Sequence, residues 1–472
     1  MRRGMKRALV AICLASAATP ALAQDFPPAP PIAEPKPFKL PATESFTLAN
    51  GMQVTLVPYG IAPKAVVSLR VRAGNATDGD QTWLSEVTAA MMKEGAGGRS
   101  ANQLATAAAS MGGDLDVSAG LQTTAITMNV LSEHAPEAVA LIGDVAIRPD
   151  FPASELARVK ASIGRQLAVA LSEPGTLADV ALARTVYGPN HPYGRVIPTQ
   201  AQLAGYSIDD ARRFHAAQFG AKRAHLYVAG KFDAAAVKAA IEKAFAGWKP
   251  GPEPLALTSP HAQGPKVVLV DRPGAPQTTL RLAFDAARAG TDADIPQRVT
   301  NALLGGAFSS RITTNIREDK GYTYSPSSGI AFNPEEALWT FEADVTTNVT
   351  GDALKEVFKE VRRMQSEPAP AEESKGIRTY LAGVFAIQNS TSPALVGTLA
   401  TRDMLGLPAD WTDRYVPAVM SVTPEAMMAS AKAGYPLERM TLVAVGDLKT
   451  VEPQLKALPE LANVPFQRVT VP

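Results

Sequence analysis

The chain has 472 residues, 46% of them apolar and 19% charged, with 46 basic against 45 acidic side chains and a formal net charge of +1. That composition excludes a disordered chain and allows two to four domains with real cores. Neither sign of charge forms a long run, so no electrostatic footprint for nucleic acid or an anionic membrane is present.

The first residues carry Arg2, Arg3, Lys6 and Arg7, then an apolar run from Ala8 to Ala18, then Ala21-Leu22-Ala23. This is the pattern of a secretory signal peptide over 1–23, cleaved after Ala23, and it predicts a periplasmic or secreted protein. The apolar run is too short to span a bilayer. No later segment reaches the roughly 18 to 20 apolar residues that a membrane span needs. Cys13, the only cysteine, lies in the removed segment, so neither a disulfide nor a thiolate metal ligand is expected afterwards. Residues 24–42 carry proline at nearly every second or third place and read as an extended, solvated leader, a tether or an arm.

Two stretches further on have the same shape. Val54–Val57 followed by Val66–Ala73 resembles Val267–Val270 followed by Thr278–Phe284, and His225–Gly230 resembles Thr441–Gly446. The offsets are 267 − 54 = 213 and 441 − 225 = 216, so the spacing is nearly constant and indicates a duplication. Ala-rich helical patterns lie between, over 102–111, 152–171 and 233–245 in the first half and 351–365 and 371–386 in the second. Strands follow one another without a helix after each, which predicts α+β halves, each an antiparallel-rich sheet backed by helices. A Pro/Gly-rich linker at 250–265 separates residues 43–249 from 266–472.

The run LLGGAFSSRITTNIREDKGYTYSPSSG, Leu303 to Gly329, together with Phe151-Pro152 and the segment from Tyr187 to Arg195, resembles the insulinase (pitrilysin) metallopeptidases. That resemblance covers nearly the whole mature chain and implies a clam-like pair of homologous halves around a cavity. Active members carry H-x-x-E-H on the first long helix: two histidines four apart bind zinc, and the glutamate activates water. Here the matching positions read Glu86, Val87, Thr88, Ala89 and Ala90, and the place of the third ligand, a distal glutamate, falls on Gln166. Two alanines and a neutral amide are poor zinc ligands. No two of His134, His191, His215, His225 and His261 lie four apart, and neither H-x-x-E-H nor H-E-x-x-H occurs anywhere. His191 and His215 read as structural or surface residues. This chain is therefore expected to bind no zinc.

The second-half signature is retained. The resemblance gives Arg317 and Tyr324 the role of holding the substrate carbonyl and stabilising the oxyanion, a task that suits preorganised guanidinium and phenol donors. The blander reading makes Arg317 a helix cap and Tyr324 a core aromatic. Gly113, Asp114 and Val117 fall where the family places an edge strand that binds the substrate backbone, although a simple helix-to-strand turn fits them equally. Gly305 and Gly306 are read as a flexible entrance loop. The resulting expectation is a non-zinc-binding subunit that pairs with an H-x-x-E-H-bearing homologue and donates Arg317 and Tyr324 to that partner's zinc site for hydrolysis of unfolded peptides. The alternative is a structural or peptide-binding homologue with no part in turnover.

Overall fold

Alternation of side chains builds the first sheet. In the computed structural model, which describes residues 33–258 and 265–471, Val67, Leu69 and Val71 point into a buried core while Ser68 and Arg70 take the opposite face. The signal-peptide segment and His261 lie outside the described residues. The strands are β1 (Glu44–Thr47), β2 (Gln53–Pro58), β3 (Lys64–Val71), β4 (Gly95–Ala96), β5 (Arg99–Ser100), β6 (Leu115–Ala119), β7 (Thr124–Leu131) and β8 (Ala224–Gly230). All but β4 and β5, which form a small hairpin, join one sheet in the order β1-β2-β8-β3-β7-β6.

The second sheet uses β9 (Lys266–Asp271), β10 (Gln277–Asp285), β11 (Ser327–Asn333), β12 (Glu336–Thr346), β13 (Thr441–Gly446) and β14 (Phe466–Arg468). Its order is β11-β12-β10-β13-β9-β14, which read backwards repeats the first in five strands, while the edge strand β14 comes last in the chain and runs parallel to β9 where β1 comes first and runs antiparallel to β2. The register repeats as well. Val54 pairs in parallel with Leu226 and Val267 in parallel with Leu442, giving 267 − 54 = 213 and 442 − 226 = 216. The α+β architecture of two homologous halves, each an antiparallel-rich sheet with helices, is thus present. The parallel pairs are confined to β2/β8, β13/β9 and β14/β9.

Each sheet has its own half's helices on one face and a helix of the other half on the second face. The helix Pro174–Tyr187 leaves the first half and lays Ala178, Ala181, Leu182 and Val186 on Val268, Val270, Val443 and Val445 of the second sheet. Reciprocally, the helix Ser392–Met404 lays Leu395, Val396 and Leu399 on Val57, Val66, Tyr227 and Ala229 of the first. Full burial of such a side chain contributes about 1.5–3 kcal/mol, so the exchange ties the halves firmly together.

One stretch departs from the solvated leader expected over 24–42. Phe38 packs edge-on against Phe385 with centroids 5.5 Å apart, and the Leu40 amide donates to Asp413 at 2.8 Å. The prolines favour extension, but the two apolar side chains between them find a surface to cover.

Candidate functional site

Asp78 sets the start of the helix Leu84–Met92. Its carboxylate accepts the Trp83 amide at 2.8 Å and the Ser85 amide at 2.9 Å, holding Trp83 in a left-handed conformation with φ 66°. Trp83 is anchored in turn by its indole N–H, which donates to the Val196 carbonyl at 2.9 Å. The helix then presents Glu86, Ala89 and Ala90 to a cavity of about 460 Å³.

The opposite wall of this cavity is the helix Leu156–Ser172, whose buried stripe Val159, Ile163 and Leu167 leaves Gln166 on the cavity side. Asp116, Val117 and Ser118 of β6 close it. The four degenerate positions, though up to 80 residues apart (166 − 86), therefore converge on one space. Lys93, Glu94 and Arg158 also line it, with Arg158 bonded to Glu94 and, at 2.9 Å, to Glu155. Burial pushes the Glu86 carboxyl up to about 7, partly offset by a hydrogen bond with Asn75. Asp78 is pushed up to about 7 as well, by burial that outweighs its bonds from Ser85 and Trp83.

One carboxylate, two alanines and an amide do not fit a zinc site: the donor set lacks imidazole and cannot supply three ligands. Among the described residues no group of three or more His, Cys, Asp or Glu side chains could hold a metal ion. His215 is bonded at 2.9 Å to the Ala146 carbonyl and is held below its usual pKa by burial. His191 accepts the Tyr193 amide through Nδ1 and contacts the Thr258 carbonyl through Nε2.

Arg317 and Tyr324 come together, away from that cavity. Arg317 lies in a π-helical stretch, Thr313–Asp319, with its guanidinium 4.9 Å from the Tyr324 ring centroid and 4.5 Å from that of Phe308. Tyr324 is 78% exposed and Phe308 71% exposed, so Tyr324 is no core aromatic. The two rings and Glu318, whose carboxylate lies 3.4 Å from Nε, hold the partly exposed guanidinium in place, and π-helical turns recur at functional positions. Phe308 gave no signal in the sequence beyond lying inside the signature.

The remaining expected positions divide. β6 is an edge strand, paired only with β7 among the described residues, and Val117 lies on it facing the cavity. Asp114 is exposed just before it, while Gly113 is required by packing, because an added Cβ would sit 2.4 Å from the Asn129 carbonyl oxygen. Gly305 and Gly306 form a π-helical turn, Ala302–Gly306, in place of a flexible loop. A Cβ on Gly305 would meet Ser328 Oγ at 2.5 Å, so close approach to β11 explains the residue.

Two family models match. Residues 56–197 match the one described as insulinase (peptidase family M16), and residues 206–381 match the one described as the peptidase M16 inactive domain. A Bacillus subtilis protein named uncharacterized zinc protease YmxG is 24% identical over 340 residues, 72% of this chain and 82% of that protein. A Rickettsia bellii protein, also named a zinc protease, is 23% identical over 71% of this chain and 81% of its own length. Among solved structures, a peptidase M16 inactive domain from Pseudomonas fluorescens superposes with a TM-score of 0.77 at 22% identity, covering 86% of this chain and 98% of that one. A Helicobacter pylori protease superposes with a TM-score of 0.78 at 16% identity, over 86% of this chain and all of its own.

Proposed function

Since the chain belongs to the insulinase-type M16 peptidase family, we propose that it is the zinc-less subunit of a two-chain peptidase and that Arg317 and Tyr324 serve the partner's catalytic centre. The observation that carries this is the asymmetry of loss. Every position where active members bind zinc is replaced on the walls of one cavity, while Arg317 and Tyr324 are kept side by side at the surface. A preorganised guanidinium and a phenol stabilise an oxyanion only where a substrate carbonyl is attacked, and this chain has no such centre of its own. The partner is a homologue with an intact H-x-x-E-H, and zinc belongs to that chain.

The free edge of β6 beside the cavity supplies main-chain groups for an extended peptide, a recognition mode that reads backbone more than side chains. Unfolded peptides are the substrate class this suits. The signal-peptide pattern of residues 1–23 supports a complex that works in the periplasm or outside the cell. Peptide cleavage measured for this chain alone, the zinc-bearing homologue alone and the mixture tests the reading. Activity is expected only, or far above the sum, in the mixture. Stoichiometric zinc in this chain with activity on its own would overturn it.

A further inference from the structure

Arg70 and Arg72 are two residues apart, so the strand period places both on the face of the first sheet that looks away from its core, which takes Leu69 and Val71. The register sets Arg70 beside His225 on β8 and Ala125 on β7. The exchanged helix Ser392–Met404 covers only the far part of this face and leaves a cavity of about 580 Å³ above the arginines. Leu121, Gln122 and Thr123 of the first half and Phe332 and Asn333 of the second complete its walls.

The cations here are unequally partnered. Arg72 donates to the last carbonyls of the exchanged helix, Asp403 at 3.1 Å and Met404 at 3.3 Å. Lys222 pairs with Glu253, and Arg223 bonds the Glu253 carbonyl at 2.9 Å. Asp403, the acidic side chain in the lining, is held by Arg402 at 2.7 Å and by the Tyr227 hydroxyl at 2.9 Å. With its one proton given to Asp403, Tyr227 accepts from Nδ1–H of His225, whose pKa burial pushes down to about 4, and the Nε2 of that imidazole faces Thr55 at 2.9 Å. Arg70 is the least satisfied of them: its Nε is buried without any hydrogen bond, and Asp116 and the Tyr227 hydroxyl act on it through space without bonding it. On the equivalent face of the second sheet Arg281 has Asp179 at 2.7 Å and Glu342 at 3.6 Å.

A guanidinium stays charged under all ordinary conditions, and its fork matches an oxyanion in bidentate fashion. A guanidinium at a cavity wall whose Nε is buried without a bond has a donor that an anion in the cavity would satisfy. We propose that this cavity binds a small ligand bearing a carboxylate or phosphate group, held by Arg70 with Arg72 at its margin. The volume falls in the range of small-ligand cavities and exceeds what a bare anion fills, and Leu121 and Phe332 offer apolar contact to the rest of the molecule. The inference stands apart from the shared active site and needs no partner chain.

Isothermal titration of the purified chain with inorganic phosphate, N-acetyl-leucine and N-acetyl-leucinamide tests it. The expected result is one-to-one binding of phosphate or of N-acetyl-leucine, but not of the amide. Phosphate alone identifies a phosphorylated ligand, and the acid alone identifies a peptide end. Arg70→Met removes the charge at similar volume, so it should leave the melting temperature unchanged or raised while weakening binding at least roughly tenfold. Should that variant not fold, Ala125→Glu places a carboxylate opposite Arg70 and is expected to abolish binding. No binding of either anion at millimolar concentration, or binding that survives both substitutions, would overturn the assignment.

Discussion

Rebuilding the lost ligands tests whether the first half has given up zinc only through its side chains. The perturbation is Glu86→His, Ala90→His and Gln166→Glu in one chain, leaving Ala89 as it is. All four positions line the same cavity of about 460 Å³, but Ala89 is only 2% exposed and a glutamate there would bury a carboxylate. Two histidines four apart on a helix face, with a glutamate from the facing helix, make a three-ligand site with an open fourth position. At free zinc one hundred times the dissociation constant, binding to the folded state alone stabilises by about 2.7 kcal/mol. For a cooperative unit the size of one half, 2–4 °C per kcal/mol converts this to roughly 5–11 °C. Calorimetric melting with and without zinc, alongside metal content by mass spectrometry, reads both quantities. Because position 89 still lacks the glutamate that activates water, the variant should bind zinc without cleaving peptide on its own. A melting temperature indifferent to zinc, with no stoichiometric metal, would refute the idea that the helices still stand at ligand geometry.

Further expectations concern stability. Leu182→Ala and Leu399→Ala, on the two exchanged helices and 5% and 0% exposed, should each cost about 2–5 kcal/mol in urea unfolding; losses under about 1 kcal/mol would mean that the exchange contributes little. Burial pushes the Glu86 carboxyl up to about 7, well above the usual carboxylate range, so the native state holds the proton longer than the unfolded chain. Stability should therefore fall as pH rises through that window and level off above it, and Glu86→Gln should make the slope shallower, leaving the part that Asp78, pushed up to about 7 as well, contributes. Gly113→Ala forces a Cβ to 2.4 Å from the Asn129 carbonyl and should lower stability by about 1–3 kcal/mol, whereas Gly376→Ala, mid-helix with nothing within 4 Å, should raise it slightly. Equal melting temperatures for the two glycine variants would contradict the packing argument.

The duplication was legible because alternating β-branched strands repeat at a near-constant offset, and the pairings Val54 with Leu226 and Val267 with Leu442 preserve it. The convergence of Glu86, Ala90 and Gln166 was reached by alignment to a motif and could not come from periodicity, since it needs two helices and an edge strand in space. The exchange of helices was invisible. Ala178, Ala181, Leu182 and Val186 announce an apolar helix face, but nothing local says that the sheet it covers belongs to the other half. Arg70 was hidden for the same reason: alternation assigns it to the outer face, and only the tertiary arrangement leaves its Nε buried without a hydrogen bond. Gly305 and Gly306 misled because glycine serves close packing as readily as it serves mobility.

The most direct measurement is kcat/KM for peptide hydrolysis by the mixture of this chain with its H-x-x-E-H-bearing homologue, comparing wild type with Arg317→Ala and Tyr324→Phe at matched complex formation. Loss of preorganised oxyanion donors should lower kcat by roughly 10²–10³ for the arginine, with a smaller drop for the tyrosine and little change in KM. Unchanged kcat/KM in both variants would contradict the shared active site and leave this chain a scaffold or peptide-binding subunit.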